Sequence, residues 1–171
     1  MEIKDNSLFF AKVRPEAIIP SKSEENAGYD IYACVEDRIK FRPHETKLIP
    51  TGIAAAVSKD YYLQVQERGS TGSKGIKYGA GVIDSGYRGE IFIAITNASD
   101  HYLVFYDDKR MDADHVSIHE DNNPTLYPLS KAIAQLIVHR VPVMEVKEVS
   151  YEELQGFESE RGTGALGSSQ K

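Results

Sequence analysis

Short apolar runs rich in Ile, Val, Tyr and Phe recur along the chain, at Leu8–Val13, Tyr29–Val35, Thr46–Ala56, Tyr61–Gln66, Glu90–Thr96, Tyr102–Tyr106 and Ala132–Arg140. Turn residues separate them, as at Arg42-Pro43-His44-Glu45 and Ser58-Lys59-Asp60, and runs of this length and composition predict strands. In Glu90–Thr96 the residues Ile91, Ile93 and Ile95 alternate with Glu90, Phe92 and Ala94, so one face of that strand is core. Only Ser150–Gln155 reads as a helix, with Ser150 and Glu153 spaced as a capping box. Many short strands and few helices predict an all-β fold, a β-sandwich or barrel.

Two segments stand outside this pattern. Asp107–Ser130 is polar, carries acids, His115, His119 and an Asn-Asn-Pro, and is longer than a usual connection. Its histidines and acids allow a metal reading; a solvated loop or partner surface is the default. Glu158–Lys171 is rich in Gly and Ser without a strand pattern, which alone reads as a frayed tail.

Composition narrows the function classes. At 171 residues, 41% hydrophobic and 27% charged, the chain suits one globular domain with a real core. No apolar run is long enough to span a bilayer, and no charged-then-apolar leader opens the sequence. The single Cys34 excludes an internal disulfide framework and a multi-cysteine zinc site and reads as a small buried filler. All this suits a reducing cytoplasm. A net charge of −6 argues against stable nucleic-acid binding. A nucleotide site remains open, because polyphosphate needs only local cations, backbone N–H groups and a divalent metal.

The chemistry concentrates in Gly79-Ala80-Gly81-Val82-Ile83-Asp84-Ser85-Gly86-Tyr87-Arg88-Gly89-Glu90, which reads as a tight hairpin with a buried Val82–Ile83 pair. Its glycines let a ligand lie against bare backbone. Asp84 and Tyr87 on one turn can serve a small planar ligand, the carboxylate orienting a water and the ring packing on an apolar face. An ordinary surface hairpin explains the same residues. Ahead of it, Arg68–Gly75 offers a cation, hydroxyls and exposed N–H groups, either an anion nest or an ordinary loop. Gln135 interrupts an apolar strand, as a neutral donor or an outward polar residue.

Five motifs in order carry a resemblance: Ala27-Gly28-Tyr29-Asp30-Ile31-Tyr32-Ala33, Glu67-Arg68-Gly69-Ser70-Thr71-Gly72-Ser73-Lys74-Gly75, the hairpin, Ala132-Ile133-Ala134-Gln135-Leu136-Ile137-Val138, and Arg161-Gly162-Thr163-Gly164-Ala165-Leu166-Gly167-Ser168-Ser169. From Ala27 to Ser169 the chain resembles the trimeric dUTPase family, whose members hydrolyse dUTP to dUMP and pyrophosphate, limiting uracil in DNA and supplying dUMP for thymidylate synthesis. The resemblance implies a distorted jelly-roll over residues 1–157, with 107–130 an insertion of roughly twenty residues. It makes 158–171 a flexible arm that closes over a site on another subunit of a homotrimer. Asp84 becomes the general base and Tyr87 the ring that excludes a 2′-hydroxyl. Backbone around Gly81, Val82, Ile83 and Phe92 reads the uracil edge. Arg68, Gly69, Ser70, Thr71, Gln135, Arg161 and Ser168 hold phosphates, with Leu166 and Gly167 beside them. Mg²⁺ is the implied cofactor, and Asp30 resembles the acid supporting its water shell.

Three positions depart from the family pattern. Gly69 stands where Ser usually follows the Arg, Ala132 where the fourth motif carries Arg, and Leu166 where a Phe usually covers uracil. An aromatic outside the fifth motif is therefore expected to form the lid, Phe105 or Tyr106 ahead of Phe157. The related dCTP deaminases need a proton-shuttling Glu where Ala94 stands, and a methyl group moves no protons. A dUTP-sensing regulator is the other alternative, since some phage dUTPases with a comparable extra segment bind repressor proteins; here the partner surface is the insertion.

Overall fold

The computed structural model describes residues 3, 6–113, 116 and 121–164. Among them the chain runs β1 (Leu8–Lys12), β2 (Gly28–Ile31), β3 (Ile39–Phe41), β4 (Thr46–Pro50), β5 (Ile53–Val57), β6 (Tyr61–Gln66), α1 (Gly69–Gly72), β7 (Ile76–Gly79), β8 (Val82–Ile83), β9 (Phe92–Asn97), β10 (Leu103–Tyr106), β11 (Thr125–Pro128), β12 (Ala134–Arg140) and α2 (Tyr151–Gln155). The all-β expectation holds. Four small sheets form, ordered β1-β5, β11-β10-β3, β2-β12-β6-β8 and β4-β9-β7. Their inner faces share one core that includes Phe41, Ile53, Leu63, Phe105, Tyr127 and Leu136. Ile91, Ile93 and Ile95 lie in it as the alternation predicts.

The expected strand Thr46–Ala56 is two strands, because Gly52 sits between them at φ +66. A side chain there would meet Ala17 Cβ at 2.7 Å and Cys34 Sγ at 2.9 Å, so only glycine makes this turn. Its N–H donates to Glu90 Oε1 at 2.8 Å, and Thr51 Oγ1 donates to the Ile91 carbonyl at 2.7 Å. Cys34 is buried as expected, and burial, with Glu16 nearby, pushes its thiol up.

β10 and β11 pair in parallel, Leu103 against Thr125 through Tyr106 against Pro128. A parallel pair needs a long crossover, and residues 107–124 supply it. The last part of the expected insertion is thus a strand, with Tyr127 in the core. Val116 and Met111 of the crossover pack in a second cluster with Val104 and Tyr106 of β10 and Leu126 of β11. Asp108 accepts from Ser130 N at 3.0 Å and Ser130 Oγ at 2.5 Å. Asp121 accepts from Tyr102 N at 2.6 Å and Asn123 N at 2.8 Å, so both ends are tied down. His115 and His119 lie outside the described residues.

The chain divides into two units, Met1–Val141 and Pro142–Lys171. In the smaller, Ser150 Oγ caps α2 by accepting from Glu153 N at 3.1 Å. Val143 and Val146 are 92% and 93% exposed. No helix among the described residues is long and apolar enough to cross a membrane.

Candidate active site

Three neighbouring strands build the first half of the site. In the ladder β2-β12-β6, Asp30 faces Gln135 and Gln135 faces Gln66, which brings three separated motifs to one strand end. The chain leaves β6 and turns through α1, one helical turn that begins after Arg68. The result is an open cup of about 490 Å³ whose lining includes Gly28, Asp30, Arg68, Gly69, Ser70 and Gln135.

The Arg68 guanidinium crosses the cup floor. Its Nε meets Asp30 Oδ1 at 3.0 Å, Nη2 meets Oδ2 at 3.3 Å, and Nη1 donates to the Ala132 carbonyl at 3.1 Å. This fork fixes the cation's plane and leaves other N–H groups for a ligand. The Ala132 carbonyl also accepts from Tyr127 Oη at 2.8 Å, and Ala132 itself is buried, so no room exists there for a second guanidinium. Gln135 Nε2 donates to the Glu67 carbonyl at 2.7 Å, spanning β12 and the α1 loop. Behind the cup, burial pushes the Tyr78 phenol up to about 12, and its hydroxyl donates to the Ile133 carbonyl.

The second half is the hairpin. Asp84–Tyr87 closes as a turn, Tyr87 N donating to the Asp84 carbonyl at 3.0 Å. A cavity of about 240 Å³ lies against Ala80, Ile83, Asp84, Tyr87, Glu90 and Phe92. Ala80 holds φ 49, an uncommon backbone state for a residue with a Cβ. The Tyr87 ring lies over the Gly89 backbone, where a Cβ would fall 2.5 Å from its hydroxyl. That hydroxyl donates to the Glu90 carbonyl at 2.8 Å, while Tyr87 as a residue remains 46% exposed. A carboxylate and an open aromatic face therefore border one small pocket.

Several expectations need correction. Thr71 is turned inward, fully buried, its hydroxyl accepting from Arg68 N and donating to the Arg68 carbonyl; it helps shape the loop and does not line the cup. The Gly81 carbonyl accepts from Val65 N at 2.8 Å, because Gly81 continues the β6–β8 ladder, and it keeps a second lone pair. Val82 is 61% exposed rather than buried. Phe105 and Tyr106 are buried and form no lid. Phe105 packs edge-on between Phe41 at 5.7 Å and Tyr127 at 5.4 Å, and Tyr106 joins the crossover cluster. Phe157 is exposed and is the remaining one of the three lid candidates.

In the smaller unit, Arg161 Nε donates to the Gly164 carbonyl at 2.9 Å, and Ser159 Oγ accepts from Arg161 N and Gly162 N. Leu166, Gly167 and Ser168 lie outside the described residues. Two residues not expected from the sequence carry the geometry: Gly28, against which Gln135 packs, and Glu90, which lines the hairpin cavity. The small Ala27-Gly28 pair was a signal for the first; Glu90 gave none beyond its place in an alternating strand.

A family model described as dUTPase matches residues 14–111. The deoxyuridine 5'-triphosphate nucleotidohydrolase of Nautilia profundicola is 32% identical over 168 residues, covering 96% of this chain and 99% of that protein. Among solved structures, a point mutant of the Staphylococcus bacteriophage 80alpha dUTPase with dUpNHpp superposes with a TM-score of 0.72 at 27% identity, over 96% of this chain and 99% of that one. A mutant dUTPase of phage phi11 of S. aureus, described as coordinating a structural Mg(II) ion, shares the fold at 22% identity, with a TM-score of 0.66 over 86% of this chain and 99% of that one. With the match spanning more than half its length, this chain belongs to the dUTPase family.

Proposed function

We propose that this chain hydrolyses dUTP to dUMP and pyrophosphate, at sites assembled from the cup of one copy and the hairpin of another. The observation that carries the reading is the hairpin cavity, where the Asp84 carboxylate and the open Tyr87 ring share a wall. Deoxyribose packs on the ring, and a ribose 2′-hydroxyl is rejected by crowding and by losing its water without a partner. The uracil edge meets hairpin backbone around Ile83 and Phe92. Asp84 accepts the proton of a water whose oxygen bonds to the α-phosphorus while the bond to the bridging oxygen breaks and pyrophosphate departs. Arg68, Gln135, Ser70 and the Gly69 backbone hold the phosphate oxygens, and Arg161 and Ser168 of the arm add further donors.

Register supports the shared site. Leu63 pairs with Ile83, so Asp84 falls beside Tyr62, and an extended chain from Tyr62 to Arg68 runs about 20 Å. A base has to stand within hydrogen-bond reach of its water, and this separation within one copy favours an Asp84 supplied by another. Together with the family's threefold assembly, this separation favours a homotrimer in which the arm closes a neighbour's site.

Mg²⁺ fits the cup through water rather than directly. Both Asp30 oxygens already accept from Arg68, yet each keeps a lone pair for a metal-bound water, and Glu25 and Asn26 line the same cup. No group of three or more metal-ligating side chains occurs among the described residues. Bound with the nucleotide, Mg²⁺ neutralises phosphate charge.

Of the 107–130 insertion, the 107–124 crossover is read as the surface for a protein partner, because Thr125–Pro128 is a strand with Tyr127 in the core. A deletion that tests this has to stop short of β11.

Asp84→Asn keeps the shape and removes the proton acceptor, so kcat for pyrophosphate release from dUTP falls about 10²–10⁴-fold. Near-normal turnover in that folded variant contradicts the assignment. Ammonia from dCTP in place of pyrophosphate from dUTP contradicts the reaction class.

A further inference from the structure

Glu90 lines the hairpin cavity, yet its carboxylate faces away from it. Oε1 accepts from Gly52 N at 2.8 Å and meets Arg14 Nε at 3.4 Å, and Oε2 accepts from Arg14 Nη2 at 3.4 Å. The Glu90 side chain is 12% exposed and that of Arg14 40%, so the pair is largely withdrawn from solvent screening on the carboxylate side. The Arg14 backbone is tied to the same turn, since Val13 N and Arg14 N both donate to the Gly52 carbonyl, at 2.7 and 3.4 Å. One residue on, Ile91 N donates to the Ile53 carbonyl at 2.7 Å and the Ile91 carbonyl accepts from Thr51 Oγ1. Residues 90 and 91 are thus clamped to the Thr51–Ile53 turn from both sides.

The far side of this clamp is Tyr87. Its hydroxyl is held by the Glu90 carbonyl, and its ring rests so closely on Gly89 that even a methyl there would collide. The hydroxyl ties the outer end of the ring to the Glu90 backbone, so its height follows where Glu90 is held. We propose that Arg14 and Glu90 are positioning residues that set the Tyr87 ring at the height that separates deoxyribose from ribose. This rests on the reading of Tyr87 as the sugar-facing ring. Arg14 reaches the pocket only through Glu90.

The test is the ratio of kcat/KM for dUTP to that for UTP, measured by pyrophosphate release on the full chain with Mg²⁺. Arg14→Ala and Glu90→Gln are each expected to lower that ratio about tenfold or more, since small displacements of a positioning group have effects of this size. The double variant is expected to go no lower than the worse single one, because the two act as a unit. A purely structural pair would lower Tm and leave the ratio alone. That result in either variant overturns the proposal. Arg14→Ala removes a half-exposed side chain and carries the test if Glu90→Gln does not fold. Tyr87→Ala separates the two levels: an unchanged ratio there removes the reading of Tyr87 itself. A relaxed ratio in Tyr87→Ala with an intact one in Arg14→Ala removes only the positioning role.

Discussion

Gly28 offers the sharpest test of how the cup is packed. It opens β2 opposite Ile137, is buried, and the Gln135 side chain lies across it. A Cβ at this position would fall 2.5 Å from Gln135 Oε1, 2.9 Å from its Cβ and 3.0 Å from its Cδ. The amide end can rotate away; the Gln135 Cβ moves only if β12 moves. Its φ lies outside the left-handed region, so Gly28→Ala would by itself stabilise the fold by about 0.4–1 kcal/mol through the unfolded chain. Overpacking a filled site costs about 1–3 kcal/mol, and the clash is with a side-chain root, so the clash wins. The expected net loss is about 1–2 kcal/mol, and Tm falls by about 2–4 °C for each. The same displacement breaks the 2.7 Å bond from Gln135 Nε2 to Glu67 and raises KM for dUTP. Thermal unfolding and steady-state kinetics of Gly28→Ala are compared with Gly79→Ala, where a Cβ meets nothing within 4 Å. A Gly28→Ala protein with wild-type KM and a Tm at or above wild type would refute the reasoning.

Two further predictions concern the crossover and the arm. Asp121 is held below the usual carboxylate range by the backbone N–H of Asn123 first, then by Tyr102 and His101. Its folded pKa lies under its unfolded one, so its contribution is complete above the unfolded value, near pH 4, and is lost as pH falls through the folded value. The Tm gap between wild type and Asp121→Asn is therefore expected to be full at neutral pH and to close in acid, and a pH-independent gap contradicts this. Truncation after Gly156 removes Arg161 and Ser168 while all twelve described strands remain; Tm of the core should persist while kcat/KM collapses, and wild-type kcat/KM would mean the tail has no part in catalysis.

Local pattern made much of this fold readable. Tyr61–Gln66 is a strand with the expected bounds, the Ile91-Ile93-Ile95 face is core, and Ser150 caps α2, because each rests on neighbours in sequence. What local pattern does not carry is decided by distant partners. The Thr46–Ala56 run breaks because Gly52 is wedged between Ala17 and Cys34, and Thr125–Pro128 becomes a strand because β10 offers it a parallel edge. All four β10 residues are buried, so no polar alternation reveals that Phe105 points into the core. In the site, residue type left Asp84, Tyr87, Arg68 and Gln135 open between chemistry and ordinary structure, and the order of the five motifs gave them their expected roles. That Asp30 grips Arg68 from both oxygens, or that Glu90 turns its charge away from the pocket, follows only from how the sheets meet.

The central claim is that dUTP hydrolysis needs the cup of one copy and the hairpin of another. Co-expressing Asp84→Asn with Arg68→Ala, each inactive alone, tests it directly. With shared sites and equal random mixing, a site is whole only when an intact hairpin meets an intact cup, so about a quarter of wild-type dUTP hydrolysis returns. If each copy carried a complete site, every copy in the mixture would hold one broken half. Mixed oligomers as inactive as their parents would contradict the account.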